Sequence, residues 1–441
     1  MEFGIITQGY RLREIRKKLG LKQEDVSGNE ITRNLVSMIE TDKATLTHKA
    51  AKVIHSNLKE VIKKRNIKCD VNIDEIFITE EEQAEEIFER YLRYIEEVDV
   101  LAEEKLENML FLLNKYNMNI NKVFMYKKLA EKFEALNKFE KALKYFNLAN
   151  EFAVMSNVEN EIHEEIILSI THCCRELELH EETLRVINKY LVNIEEKDIS
   201  KSNYIKILYN KSITLKFLGK YDQALETLKE IELSYSKKII DNCIFIKSEM
   251  IKGNCYKEKG YYSKALSIHK KIYKKLSKSK EKSIYDILAL ANILEIGRII
   301  GEDVVEYIDD IINKIDQYEK FDEYELAGEI CNIVAEACEN SNINDGEELA
   351  IEYYYKALEL SKDKKNKEVI DVSVSRILDK VIKKEDSSEI NNIRGEILEL
   401  LSLKLIMVNS KVVMTLLGYY MKKEDFGKVQ GIIKYCEERV S

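Results

Sequence analysis

Arg33, Asn34 and Ser37 lie within one short stretch, RNLVS, and their side chains share one kind of chemistry. Arg is the usual bidentate partner of guanine O6 and N7, Asn of adenine N6 and N7, and Ser can serve either. Reading base edges needs those groups on the outer face of a short helix, so the flanking residues must build and hold that helix. Thr32 is a good N-cap, and Val36 and Ile39, three apart, give an inward face to a helix running to about Thr41. Upstream, Gln23 opens a shorter helix to Ser27, where its side chain can donate to a phosphate beside free helix N–H groups. Gly28-Asn29 supplies the turn between the two. Before them, Leu12, Ile15 and Leu19 are spaced i, i+3, i+7 in an amphipathic run from Tyr10 that ends at Gly20. Arg16 of that helix and Glu40 of the third are expected to pair and fix their crossing. Together with Lys22, Thr41 and Lys43, the residues Gln23, Thr32, Arg33, Asn34 and Ser37 form the candidate DNA-binding set.

The strings L-x-Q-E-D-V-S and V-S-x-I-E resemble the Cro/phage-repressor type of helix-turn-helix, over roughly Gly9 to Lys64. The resemblance implies that the third helix enters a major groove. Lys22 departs from the pattern, standing where that family usually has a Thr or Ser cap, which forfeits about 1 kcal/mol. Leu46 to Arg65 reads as two further helical segments with Ala50, Val53, Ile54, Leu58 and Ile62 as their apolar stripe. Residues 66–78 read as a connector, after which Thr79-x-x-Glu82 is a capping box opening the next helix.

The 441-residue chain contains no proline and only 15 glycines, against a typical proline usage of about 5%. Such a chain is most easily all helix with short turns. The net charge of −9 is uneven: residues 1–65 hold 14 Lys/Arg against 8 Asp/Glu, and the remainder 56 against 71. A basic head on an acidic body suits a small DNA-binding domain joined to something that should avoid DNA. The eight cysteines are scattered, with no C-x-x-C, which points to reduced thiols. With no membrane-length apolar run and no targeting pattern, a cytoplasmic protein without membrane contact is expected.

From about residue 80 the chain repeats itself. Ala130, Phe133, Phe139, Ala142, Phe146 and Ala149 recur as Ser212, Leu215, Tyr221, Ala224, Leu228 and Ile231, then as Gly253, Tyr256, Tyr262, Ala265, His269 and Ile272. A degenerate copy lies between the first two: Thr171, Cys174, His180, Thr183, Ile187 and Tyr190. The anchors 142, 183, 224 and 265 are each 41 residues apart, and looser copies are anchored near Glu306, at Ala350 with Tyr354 and Ala357, near Ile390, and at Val429 with Phe426 and Ile433. This spacing of small and aromatic residues resembles the tetratricopeptide repeat, a helix pair that stacks into a solenoid. The expected fold is therefore all-α: a helix-turn-helix domain (1–65), a connector (66–78) and a right-handed tetratricopeptide-like α-solenoid (79–441).

The concave face of such an array is lined by the first helix of each pair. By this register it carries Arg175, Tyr209, Asn210, Lys216, Asn254, Lys257, Asn292, Arg298 and Asn332, the candidate peptide-binding set. Asn has both a donor and an acceptor for the backbone of an extended peptide, and Lys or Arg suits a terminal carboxylate. His163, His172, Cys173, Cys174 and His180 match no zinc spacing, and the two cysteines read as buried small hydrophobes. No phosphate loop, nucleophile elbow or paired-carboxylate motif occurs, so no catalytic residue, metal or cofactor is expected.

A Cro-like head followed by such an array resembles the RRNPP family of peptide-responsive regulators of Gram-positive bacteria. The resemblance implies a cytosolic homodimer on palindromic or near-palindromic double-stranded DNA, with a short signalling peptide in the groove controlling operator binding. Two other readings stand beside it: an interaction scaffold whose groove holds a protein partner, and a constitutive repressor that uses the repeats only to dimerise.

Overall fold

The computed structural model describes residues 2–68, 71–98, 102–193, 201–236, 242–278, 283–341, 343 and 345–440. Cys69, in the connector, and residues 279–282, in a charged run, lie outside them. The described residues contain 22 α-helices and no strand, and none of these helices is long and apolar enough to cross a membrane. Chain contacts divide the protein into two compact units, residues 1–203 and 204–441.

The first unit opens with α1 (Gln8–Lys18), α2 (Gln23–Ser27), α3 (Arg33–Glu40) and α4 (His48–Arg65). Thr32 and Thr47 cap α3 and α4 by accepting from the N–H groups of Leu35 and Ala50. Leu12, Ile15, Val26, Val36, Ile39, Ala51, Ile54 and Leu58 form one core. Gly9 lets α1 close onto the end of α3, because a Cβ there would lie 1.9 Å from the Ile39 carbonyl oxygen.

Two expectations about the head change. Residues 48–65 form a single helix, since one Thr47 cap starts a stripe of Ala51, Ile54 and Leu58 that runs uninterrupted. The connector contains a 3₁₀ turn, Ile73–Phe77, whose Ile76 is buried in the head's core. Gln8 donates to the carbonyls of Ile76 and Phe77 at 3.2 and 3.1 Å. The chain's first residues reach the other way: Ile5 is buried with Ala84, Phe88, Met109 and Leu112, and Gln83 bonds both backbone groups of Ile6.

Helical hairpins follow. In the first unit they pair α5 (Glu80–Glu97) with α6 (Glu103–Lys115), α7 (Asn119–Ala135) with α8 (Phe139–Ser156), and α9 (Asn160–Glu176) with α10 (His180–Asn193). The capping box at the start of α5 forms as expected, with Thr79 and Glu82 bonding each other's backbone. In the second unit the pairs are α11 (Lys201–Phe217, whose first three residues fall in the first unit) with α12 (Tyr221–Ser236), α13 (Asn242–Glu258) with α14 (Tyr262–Leu276), and α15 (Ile284–Ile300) with α16 (Glu306–Gln317). They continue with α17 (Ala327–Glu339) and α18 (Gly346–Lys364), α19 (Lys367–Lys384) and α20 (Ser387–Ser402), and α21 (Lys411–Lys422) and α22 (Phe426–Val440). Second helices pack on the next first helix, as α8 on α9 and α14 on α15, while α15, α17, α19 and α21 pack in succession.

The repeat anchors Ala142, Thr183, Ala224 and Ala265 are all buried. The hairpin turns carry the same period, placing positive-φ residues at Asn137, Glu178, Gly219, Gly260 and Gly301, each 41 apart. Glu306, near which the next anchor is expected, is itself exposed. After Gly301 the turn runs on to Val305 before α16 begins, so the buried face falls on Ile308, Ile311 and Ile315. Ala350, Tyr354, Ala357 and Ile390 are buried as expected, whereas Val429 is half-buried, Phe426 and Ile433 are exposed, and Ile432 takes the buried place in α22.

Candidate functional site

In the head, one buried carboxylate ties together three helices or their ends. Arg16 Nε and Nη2 lie 2.5 and 2.8 Å from the two oxygens of Glu40, and Arg16 Nη1 donates to the Leu21 carbonyl at 2.9 Å. Gln23 Nε2 donates to the same Glu40 carboxylate at 2.9 Å. Burial alone would raise the Glu40 carboxyl, but the hydrogen bonds from Arg16 and Gln23 outweigh it and hold it below its ordinary range. The Arg16–Glu40 pair expected from sequence is thus the bolt between α1 and α3. Gln23, expected on a phosphate, spends one of its two N–H donors on this network.

With α3 held this way, its outer side is left to solvent. Asn34 is exposed and Ser37 half-buried. The Arg33 side chain is 66% exposed, with Nη1 3.2 Å from Glu24 of α2. An exposed pair of this kind is worth about 0–1 kcal/mol, so Arg33 is readily released to another acceptor. The Thr41 hydroxyl donates to the Ser37 carbonyl at 2.8 Å, and Lys43 is exposed just beyond. Lys22 caps nothing with its side chain; its backbone N–H donates to Asp25 at 2.8 Å, the half of a capping box that does not need a Ser or Thr.

The second unit presents a wall of successive first helices, and here the candidate residues separate. Lys257 donates to Glu295 at 2.8 Å, and Arg298 Nη2 lies 2.9 Å from Glu336. Glu336 also faces Arg376 at 3.5 Å, and Lys380 pairs with Glu339 at 3.0 Å. The two candidate cations are therefore rungs of a ladder linking α13 to α15 and α15 to α17. Asn332 is only 8% exposed; its Oδ1 accepts from Ser373 at 2.9 Å, tying α17 to α19. It is a cross-brace, not a groove amide. Asn292 donates back to the Leu288 carbonyl of its own helix at 2.8 Å. Asn254 differs, because its Oδ1 is buried with no hydrogen-bond partner among the described residues. Tyr209 and Asn210 are half-buried on α11, and Lys216 Nζ stands 4.8 Å from the centre of the Phe217 ring. In the first unit, Arg175 pairs with its neighbour Glu176 at 3.1 Å.

Sequence reasoning missed the acidic half of the ladder. Its signal was present as a spacing: Lys127 and Glu165, Lys257 and Glu295, and Arg298 and Glu336 are each 38 residues apart, three short of the repeat.

No protein-family model matches the chain, and no curated protein does. Solved structures with similar folds include the apo quorum sensor NprR from B. thuringiensis, at 13% identity and TM-score 0.48, covering 81% of this chain and 95% of that one. The Rap conjugation gene regulator of plasmid pLS20, in complex with the Phr* peptide, aligns at 14% identity and TM-score 0.42, covering 96% and 97%. Bacillus thuringiensis PlcR, in complex with the peptide PapR7 and DNA, aligns at 15% identity and TM-score 0.29, covering 81% and 95%. Rap, NprR and PlcR are RRNPP proteins with tetratricopeptide-like repeats, the family that the sequence resembles. The hairpin architecture of this chain stands on its own helices and anchors.

Proposed function

We propose that this chain is a DNA-binding transcriptional regulator whose repeat region senses a short linear peptide and thereby adjusts operator binding. The observation that carries the reading is the buried Arg16–Glu40–Gln23 network. It orients α3 so that Arg33 and Asn34 project outward, as base-edge readout requires. The peptide follows from the family resemblance. It is supported by Asn254 Oδ1, a buried acceptor with no donor among the described residues, and by Lys257 and Arg298, whose present partners are acidic groups that a peptide carboxylate can replace. As a homodimer the protein would place two α3 helices on half-sites of a palindrome about 34–36 Å apart. The test is fluorescence anisotropy on DNA from the promoter regions flanking its own reading frame, with and without a library of short linear peptides. Binding without sequence preference, or no response to any peptide, overturns the corresponding half of the proposal.

A further inference from the structure

Three side chains that no local motif unites meet between two successive repeats of the first unit. Glu134 lies in the last turn of α7, and His172 and Cys173 are neighbours on α9. One donor atom of each falls within 4.8 Å of the other two. His172 Nδ1 is 2.8 Å from Glu134 Oε1, and its Nε2 is 3.7 Å from Glu176 Oε1. Cys173 is fully buried, whereas the Glu134 and His172 side chains are 26% and 40% exposed. The cluster therefore has a thiol floor and a side open to solvent. Phe139, from the preceding hairpin, closes one flank with its ring edge-on to His172 at 5.9 Å.

We propose that Glu134, His172 and Cys173 form a site for a thiolate-seeking divalent cation of the zinc class, clamping α7 to α9. The donor set is one carboxylate oxygen, one imidazole nitrogen and one sulfur, with the fourth tetrahedral position left to water on the open side. Metal–ligand lengths of about 2.0–2.3 Å place ligand atoms about 3–4 Å apart, against the 4.8 Å within which the three donor atoms now lie. The ion takes the place of the hydrogen bond that now joins His172 Nδ1 and Glu134 Oε1. Glu176 then accepts from Nε2–H, the outer carboxylate that fixes a metal-bound imidazole.

Glu134 and His172 are 38 residues apart, the same offset as the Lys–Glu and Arg–Glu rungs, but among the described rungs this one is built from metal-ligating groups. When a divalent cation binds, the Cys173 S–H bond breaks, the proton leaves to solvent, and a sulfur–metal bond forms.

The test is a cobalt(II) titration of the reduced, chelator-washed full-length protein, followed by zinc(II) competition. The expected result is a single equivalent bound with a thiolate-to-cobalt charge-transfer band, bleached by zinc. Cys173→Ser should abolish the band. His172→Gln and Glu134→Gln, at partly exposed positions that tolerate the change, should each weaken cobalt binding about tenfold or more. Cys174→Ser should leave the band in place. No thiolate band in the unaltered protein, or equal cobalt affinity in His172→Gln, overturns the site and leaves Glu134–His172 as an ion-pair rung.

Discussion

Gly253 and His269 face each other across the α13–α14 hairpin, and a Cβ on Gly253 would lie 2.5 Å from His269 Nε2. The ring is fully buried, and neither nitrogen has a hydrogen-bond partner among the described residues. The repeat's usual pairing of a small residue with a large one is here made between a glycine and an imidazole. Gly253→Ala should destabilise the protein by about 1–3 kcal/mol, the usual cost of overpacking a filled core. Urea denaturation at neutral pH measures it, and an unchanged midpoint would mean that the hairpin opens freely.

The same histidine predicts an acid-sensitive hairpin. Burial, and then Lys257, lower the His269 pKa to about 3 from an ordinary 6.5. The unfolded chain therefore binds the proton first, and this contribution to stability is present above about 6.5 and lost as pH falls from there toward 3. His269→Leu should remove that component. Melting temperatures followed across this range should fall more steeply in the unaltered protein than in the variant.

Removing Glu40 leaves the half-buried Arg16 with the Leu21 carbonyl but no carboxylate partner, so Glu40→Ala should cost about 1–3 kcal/mol in the head. Because the Glu40 carboxyl is held below its ordinary value, this stabilisation is present above the ordinary carboxylate range and lost as pH falls through the lowered value. Hydrogen exchange of α1 to α4 amides reads the loss directly. Protection unchanged in Glu40→Ala would show that the network is not the bolt proposed.

Arg33→Ala and Asn34→Ala should each cost about 1–3 kcal/mol on the cognate operator and relax preference at one base position. Lys43→Ala should weaken binding to all sequences alike and reduce the salt slope by about one. Anisotropy titrations at several salt concentrations separate the two effects. Intact operator affinity in both α3 variants would mean that another face reads the DNA.

The amides of the repeat wall should not behave alike. Asn254→Ala removes a buried acceptor with no donor among the described residues, so it should keep the fold and lose peptide affinity by about 1–3 kcal/mol. Asn210→Ala should do the same. Asn332→Ala instead breaks the brace to Ser373 and should lower stability. Calorimetry with a responsive peptide, beside thermal melts, distinguishes them. Equal peptide affinity in all three would place the ligand elsewhere.

Much of this was legible in the residues themselves because it is local or repeated. The bounds of α2 and α3 follow from caps and i, i+3 pairs whose partners lie within a turn or two. Hairpins recur because burial at Ala142 is imposed again at 183, 224 and 265 by the same neighbour geometry. Only the tertiary structure decided which charged and polar groups remain available. Lys257 and Asn332 look alike as outward-facing residues until helices some 40 positions later bring Glu295 and Ser373 against them. Likewise Ile5, Gln83 and the meeting of Glu134 with His172 and Cys173 depend on long-range packing. A side chain's local pattern sets which way it points. What it meets there is set by the neighbouring repeat, whose facing side chains lie some 40 residues away, beyond the reach of any pattern within one helix.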